Sequence, residues 1–323
     1  MLARHAESLF WVGRYVERAG DAARMLDVTY HGLLESPPGE ARRAWLDLLD
    51  VLQVRPFFQS RHDNVSAATV SEFLVLDERN PGSVLSVVSR ARENVRSVRE
   101  LVTTELWESV NTFWLELQGR DLQGDLQHQP YELYGVVRRR CQAIAGTAVE
   151  TMPRDDGWLF LMLGWMLERA EMTCRLLRVR AVELAGVDQS TTYSEWRALL
   201  RSASAAEAYS KECSASMVST DIIEFLLLNP IFPRSVLFAL RSAERDLDRL
   251  GSSSRRDRAS RLLGRLRADL EYRDVADLMA VPGALPAFLD ELQDGVRGVA
   301  ELVGVQFFRN FAELDLHALE SAS

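Results

Sequence analysis

A chain of 323 residues and 36.5 kDa, 47% hydrophobic and 26% charged, is long enough for two ordinary domains or one large helical body, and too apolar to stay disordered. Its net charge of −9, with both signs interspersed, argues against wholesale attraction to nucleic acid or to an anionic membrane. The longest apolar run, Trp158 to Leu167, is about half the ~20 residues that span a bilayer, so no membrane segment is expected.

Taken in chain order, apolar periodicity predicts a first long helix through Leu9, Val12, Val16, Ala19, Ala23 and Leu26, which recur at steps of three and four. Ser36-Pro37-Pro38-Gly39 breaks it. Helices are then expected over 40–54, 66–77, 82–118 and 130–150, with Asn80-Pro81-Gly82 and the stretch from Gly119 to Pro130 read as turns. After Met152 to Gly157, a second long helix carries Phe160, Leu163, Leu167, Ala170, Cys174 and Leu177 on one seam. Further helices are expected over 193–212, 215–228, 233–250, 255–272 and 284–312, separated at Asn229-Pro230, Gly251 to Ser254 and Val281-Pro282-Gly283. Nothing reads as strand.

The two long helices are related. Gly13, Glu17, Arg18 and Ala19 recur as Gly164, Glu168, Arg169 and Ala170, an offset of 151, and Arg24 recurs as Arg175. Trp45 with Leu48 and Leu49 matches Trp196 with Leu199 and Leu200 at the same offset. Further on, Pro81, Ser83 and Val84 match Pro233, Ser235 and Val236 at 152. The sequence therefore predicts an all-α bundle of two tandem diverged repeats, 1–152 and 153–323, forming one continuous body with pseudo-two-fold symmetry.

At 100° per residue, Gly13, Glu17 and Arg24 share a strip beside the apolar seam, and Gly164, Glu168 and Arg175 share the same strip on the second helix. A glycine one turn before a glutamate lets a second backbone or a ligand approach the carboxylate. Two readings stand side by side: ion pairs that fix helix register, or a binding cleft lined by Gly13, Arg14, Glu17, Arg18, Arg24, Gly164, Glu168, Arg169 and Arg175. If the helices pack together, Glu17 and Glu168 could converge, and a gap below roughly 10 Å would let them act as paired catalytic carboxylates on one ligand. For Arg18 and Arg169, pairing with Asp21 and Glu171 is the simpler reading.

Other chemistries find little support. No glutamate has a histidine three residues on, as a dinuclear site in a bundle requires, and His5, His31, His62, His128 and His317 lack metal-ligand spacing, so neither metal nor cofactor is expected. Gly251-Ser252-Ser253-Ser254 lacks the ending of a phosphate-binding loop. The basic runs Arg138 to Arg140 and Arg255, Arg256, Arg258, Arg261, Arg265 and Arg267 read as solvated faces or as a docking patch for an acidic partner, without the aromatic interleaving of nucleic-acid binders. Three widely spaced cysteines, Cys141, Cys174 and Cys213, and a start that runs straight into charged helix predict no secretory leader and a reducing cytoplasm.

The opening Met1-Leu2-Ala3-Arg4 through Leu9-Phe10-Trp11-Val12-Gly13-Arg14-Tyr15-Val16-Glu17-Arg18-Ala19 resembles that of the bacterial alpha-E domain family. Phe73 to Leu76 with Pro81 and Ser83, Ala91-Arg92-Glu93-Asn94, Glu105 with Trp107 and Asn111, Thr151-Met152, and Gly157-Trp158 running into Glu168-Arg169-Ala170 follow in the family's order. Departures fall at Gly20, where the family tends to have Glu, and at Trp165, where it often has Arg. The resemblance implies an all-α partner of a circularly permuted ATP-grasp protein and of a transglutaminase-like protein, in a grouping that makes or processes amide-linked peptides. On that view the chain is an accessory or co-catalytic partner of an amide ligase. A stand-alone enzyme using Glu17 and Glu168, and a purely structural scaffold, are the alternatives.

Overall fold

The computed structural model describes residues 1–34, 39–184, 189–213, 217–251 and 258–308, which hold sixteen helices and no strand. The fold is all-α. By its contacts the chain divides into two compact units: Met1–Trp165 together with the stretch from Val303 onward, and Met166–Leu302.

In the first unit, α1 (Ala3–Leu34) is the central element. It packs against α5 (Val84–Ser97) and α8 (Pro130–Thr151), with α2 (Ala41–Val51) and α4 (Ala67–Val75) at its sides. The reason is the seam read from the sequence: Leu9, Val12, Val16, Ala19, Ala23 and Leu26 are all buried. Each fully buried Leu contributes about 1.5–3 kcal/mol relative to exposure. Short α3 (Arg55–Gln59), α6 (Thr104–Gln118) and α7 (Leu122–His128) complete the set, α6 packing on α5 and α8, and α7 on α4 and α8. The first part of α9 (Asp156–Leu184) and the end of α16 (Ala284–Phe307) also belong here, where Phe10 and Phe160 pack on Phe308.

The second unit is built from the remainder of α9, then α10 (Gln189–Ser202), α11 (Ala206–Glu212), α12 (Ser219–Leu228), α13 (Val236–Leu250), α14 (Arg258–Glu271), α15 (Val275–Ala280) and most of α16. Helix α12 contacts α10, α13, α14 and α15, which makes it the hub of this unit.

Local devices recur between the units. Trp45 on α2 and Trp196 on α10 are both fully buried. Both helices then end at a left-handed, non-glycine residue, Gln53 (φ 59°) and Ser204 (φ 52°), an offset of 151. The next amide reaches back to the helix in each case, Val54 to the Leu49 carbonyl at 2.9 Å and Ala205 to the Leu200 carbonyl at 2.7 Å. Ser83 caps α5 through the Ser86 amide, and Ser235 caps α13 through the Phe238 amide.

Three sequence expectations need correction, and two short helices are additions. The helix expected over 82–118 is two helices, because Thr103 accepts the Leu106 amide and starts α6 anew. The stretch expected over 193–212 is split at Ser204. The segment from Gly119 to Pro130, read as a turn, contains α7, capped by Asp121 on the Gly124 amide. Finally, α3 and α15 are five- and six-residue helices too short to show periodicity. Residues 36–38, 252–257 and 309–312, expected as turns or helix ends, lie outside the described residues.

Candidate functional site

The two glycines of the stripe serve a helix crossing in the first unit. A β-carbon on Gly13 would lie 2.1 Å from the Leu161 carbonyl oxygen and 2.8 Å from the Trp165 nitrogen. A β-carbon on Gly164 would lie 2.0 Å from the Phe10 carbonyl oxygen. The relation is reciprocal: each glycine opens room for the other helix's backbone. Of the two approaches that a bare α-carbon permits, a second backbone occupies this one.

One turn further along α1, Glu17 is 4% exposed and accepts a hydrogen bond from the indole Nε1–H of Trp165. Burial pushes the neighbouring Cys141 thiol up to about 12, with the Glu17 carboxylate adding to the rise and Arg24 opposing it. Arg24 pairs with the fully buried Asp21 one turn back. Gly20 leaves room for Cys141, whose β-carbon would stand 3.3 Å from an added one. Glu17, Asp21 and Arg24 thus form a buried polar layer between α1 and α8, in which a removed partner is costly because the remaining charge has no water to turn to.

In the second unit, the later part of α9 carries Glu168 (0% exposed) and Glu171 (1%). Arg175 donates to Glu171 at 2.8 Å. Burial likewise pushes Cys174 up to about 12, Glu171 adding and Arg175 opposing. Arg169 donates to the Pro233 carbonyl at 3.2 Å and Thr173 to the Arg234 carbonyl at 2.9 Å, tying α9 to the loop before α13.

The candidates Arg14 and Arg18 lie on another face of α1 together with Trp11 and Tyr15; Arg14 is buried and the other three are partly exposed. Trp11, Arg14, Tyr15 and Arg18 follow at i, i+3, i+4 and i+7, one helical face. The Trp11 and Tyr15 rings are stacked with centroids 5.4 Å apart, and the Arg14 guanidinium stands 5.7 Å from the Trp11 ring. Arg90, from α5, donates to the Pro81 carbonyl at 3.3 Å. Burial raises the Tyr15 phenol, while Arg90, Arg18 and Arg14 pull it down. The face of α1 was legible in the sequence; the arrival of Arg90 from α5 was not.

The remaining candidates resolve into local pairs. Arg138 pairs with Asp27, and Arg140 donates to Glu116 at 2.5 Å. Arg267 bridges Glu244 and Glu271 at 2.7 and 2.8 Å, and Arg265 faces Asp269 at 3.5 Å. Among the described residues, no three His, Cys, Asp or Glu side chains are grouped to hold a metal ion, and no helix is long and apolar enough to cross a membrane.

Residues 1–308 match the family model Alpha-E, described as a predicted alpha-helical domain with a conserved ER motif. Glu-Arg pairs stand at 17–18 and 168–169 on the two long helices, and also at 78–79 and 244–245. Similar proteins include uncharacterized proteins of Mycobacterium bovis and Mycobacterium tuberculosis, each 23% identical over 324 aligned residues covering 93% of this chain. The chain spans only 36% of the length of those relatives. No solved structure matches.

Proposed function

This chain belongs to the Alpha-E family, and we propose that it is a non-enzymatic or co-catalytic partner of an ATP-grasp amide ligase, binding the ligase, its peptide substrate or both. The observation that carries the binding reading is the burial of the two stripe glutamates: Glu17 is 4% exposed and engaged by Trp165, and Glu168 is 0% exposed. A general acid or base must reach the proton it transfers, and carboxylates enclosed in helix packing are poorly placed to do so. The partly exposed side chains of Trp11, Tyr15 and Arg18 on α1 are better placed to meet a partner. The ligase itself is named by the family resemblance. The mycobacterial relatives, in which a chain like this is 36% of a longer polypeptide, suit a body that works beside other domains. A transglutaminase-like protein is a further partner on this reading, whose setting is the cytoplasm.

The test is reconstitution with an ATP-grasp ligase from the same cell. Co-purification and a ligation rate that depends on this chain are expected, and both should survive the double change Glu17→Gln, Glu168→Gln. Absence of association together with unchanged ligation would sink the proposal. Turnover by this chain alone, abolished by the double change while the fold persists, would instead make it an enzyme.

A further inference from the structure

We infer that Lys211, on α11 next to the exposed Pro230-Ile231 tip, is a modification site: the amine to which an amide ligase joins the carboxylate of a peptide. The inference rests on the reading of the chain as a ligase partner and gives that partnership a covalent outcome.

Of the chain's 38 Lys and Arg residues, only Lys211 is a lysine. A guanidinium stays protonated, offers no lone pair to an acyl carbon, and here serves ion pairs, as Arg175 does with Glu171 and Arg267 with Glu244. A lysine amine is a nucleophile once it has lost its proton. A chain with one side-chain amine has one side-chain acceptor.

The fold leaves that amine free. Fully buried Tyr209 anchors α11 against the Phe225 ring at 5.6 Å, and Lys211, about 200° further round the helix, is exposed. Among the described residues its ammonium makes no hydrogen bond or ion pair. Glu207, four positions back, does not pair with it, and the neighbouring Glu212 is engaged by the Asn229 amide at 2.7 Å.

That last contact brings a rigid apolar tip to the amine, since Lys211 precedes Glu212 and Pro230-Ile231 follows Asn229. The Asn229 side-chain oxygen accepts the Ile231 and Phe232 amides at 3.0 and 2.8 Å, and Arg169 donates to the Pro233 carbonyl at 3.2 Å. So held, the loop presents Ile231 at 76% exposure, with Pro230 and Pro233 also exposed. A pre-ordered apolar tip gives up little freedom when an enzyme docks on it.

Comparison of the halves shows that the fold requires neither feature. At the offset of 151, Tyr209 matches the equally buried Phe58, but Lys211 matches Ser60, whose hydroxyl donates to the Phe57 carbonyl at 2.8 Å. At 152, Ile231 matches Arg79, which pairs with Asp77 at 2.9 Å. The second unit carries the amine and the apolar tip together.

The step balances with a nucleoside triphosphate as co-reactant. The ligase transfers the terminal phosphoryl group of ATP to the peptide carboxylate, giving an acyl phosphate and ADP. The Lys211 nitrogen then forms the C–N bond, the C–O bond to phosphate breaks, and phosphate leaves with the electron pair. Of the three ammonium protons one stays on the amide, one goes to phosphate and one to solvent.

The test is mass spectrometry of tryptic digests of the chain isolated from the cell that makes it. Trypsin does not cut after an acylated lysine, so a fused peptide from Ser202 to Arg234 should appear, heavier by the joined peptide less one water. Lys211→Arg, which keeps the charge, should abolish the added mass, as should removal of the ATP-grasp ligase from the cell. Ile231→Asp, at an exposed position, should lower the modified fraction about fivefold or more, the loss typical of a docking contact. The site is refuted by a native chain whose Lys211 is bare, by added mass on another residue or on the α-amine, by modification that persists without the ligase, or by an Ile231→Asp chain modified as wild type. A chain that co-purifies with the ligase and speeds ligation yet keeps a bare Lys211 would overturn this site alone, leaving the partnership standing.

Discussion

The Trp165 indole N–H donates to the Glu17 carboxylate across the α1–α9 crossing of the first unit, and both side chains are at most 5% exposed. At the sequence offset of 151 Trp165 aligns with Arg14, so an indole stands on α9 where α1 carries a charged residue. Trp165→Phe keeps most of the ring volume and removes the donor. It should lower unfolding stability by about 1–3 kcal/mol, the range for a buried polar group losing a partner, measured by urea denaturation. A change within error would show that Glu17 is satisfied without the indole.

The Gly13 and Gly164 crossing gives a sharper steric test. Gly13→Ala places a carbon 2.1 Å from the Leu161 carbonyl oxygen, and Gly164→Ala places one 2.0 Å from that of Phe10. Backbone cannot step aside as a side-chain tip can, so each change should cost about 1–3 kcal/mol or more. Gly146→Ala, on α8 with nothing within 4 Å of the added carbon, should instead stabilise by about 0.5–1 kcal/mol. Denaturation midpoints of the three variants should separate in that order.

Cys141 and Cys174 are both buried, with thiols pushed up to about 12 from the ordinary 9.0. Well below pH 9 both the folded and the unfolded chain keep them mostly protonated. Between about 9 and 12 the unfolded chain releases protons that the folded chain retains, so stability falls as pH rises through that window. Replacing both with Ala should flatten this alkaline slope in melts taken across it. At pH 8 an alkylating reagent should leave both thiols unlabelled in the native protein and modify them after denaturation.

Ser83 and Ser235 each accept the amide three residues on, at 3.2 and 3.1 Å, at the start of α5 and α13. Ser83→Ala and Ser235→Ala should each cost about 1 kcal/mol, the usual loss for an N-cap, and the losses should add in the double variant because the sites lie in different units. Urea midpoints of the single and double variants check both statements. The Ser235 loss should be the larger, since its hydroxyl also donates to the buried Asn229 carbonyl.

The sequence alone determined the helical class, the long helices and the recurrence of their parts, because these rest on local periodicity and on a residue's neighbours three and four positions away. The seams of α1 and α9 are buried as that pattern demands. Short helices such as α3, α7 and α15 escaped it, being less than two turns or about two turns long, and Ser204 broke a helix without a glycine or proline to announce it. For the stripe, spacing identified Gly13, Glu17, Gly164 and Glu168, but periodicity says which residues share a face and not what that face meets. Only the tertiary structure decided that the glycines admit a backbone, that Glu17 meets an indole 148 residues away, and that Arg90 serves the Pro81 carbonyl. Such contacts depend on where separate helices cross, which is set by the packing of the whole core rather than by any local run of residues.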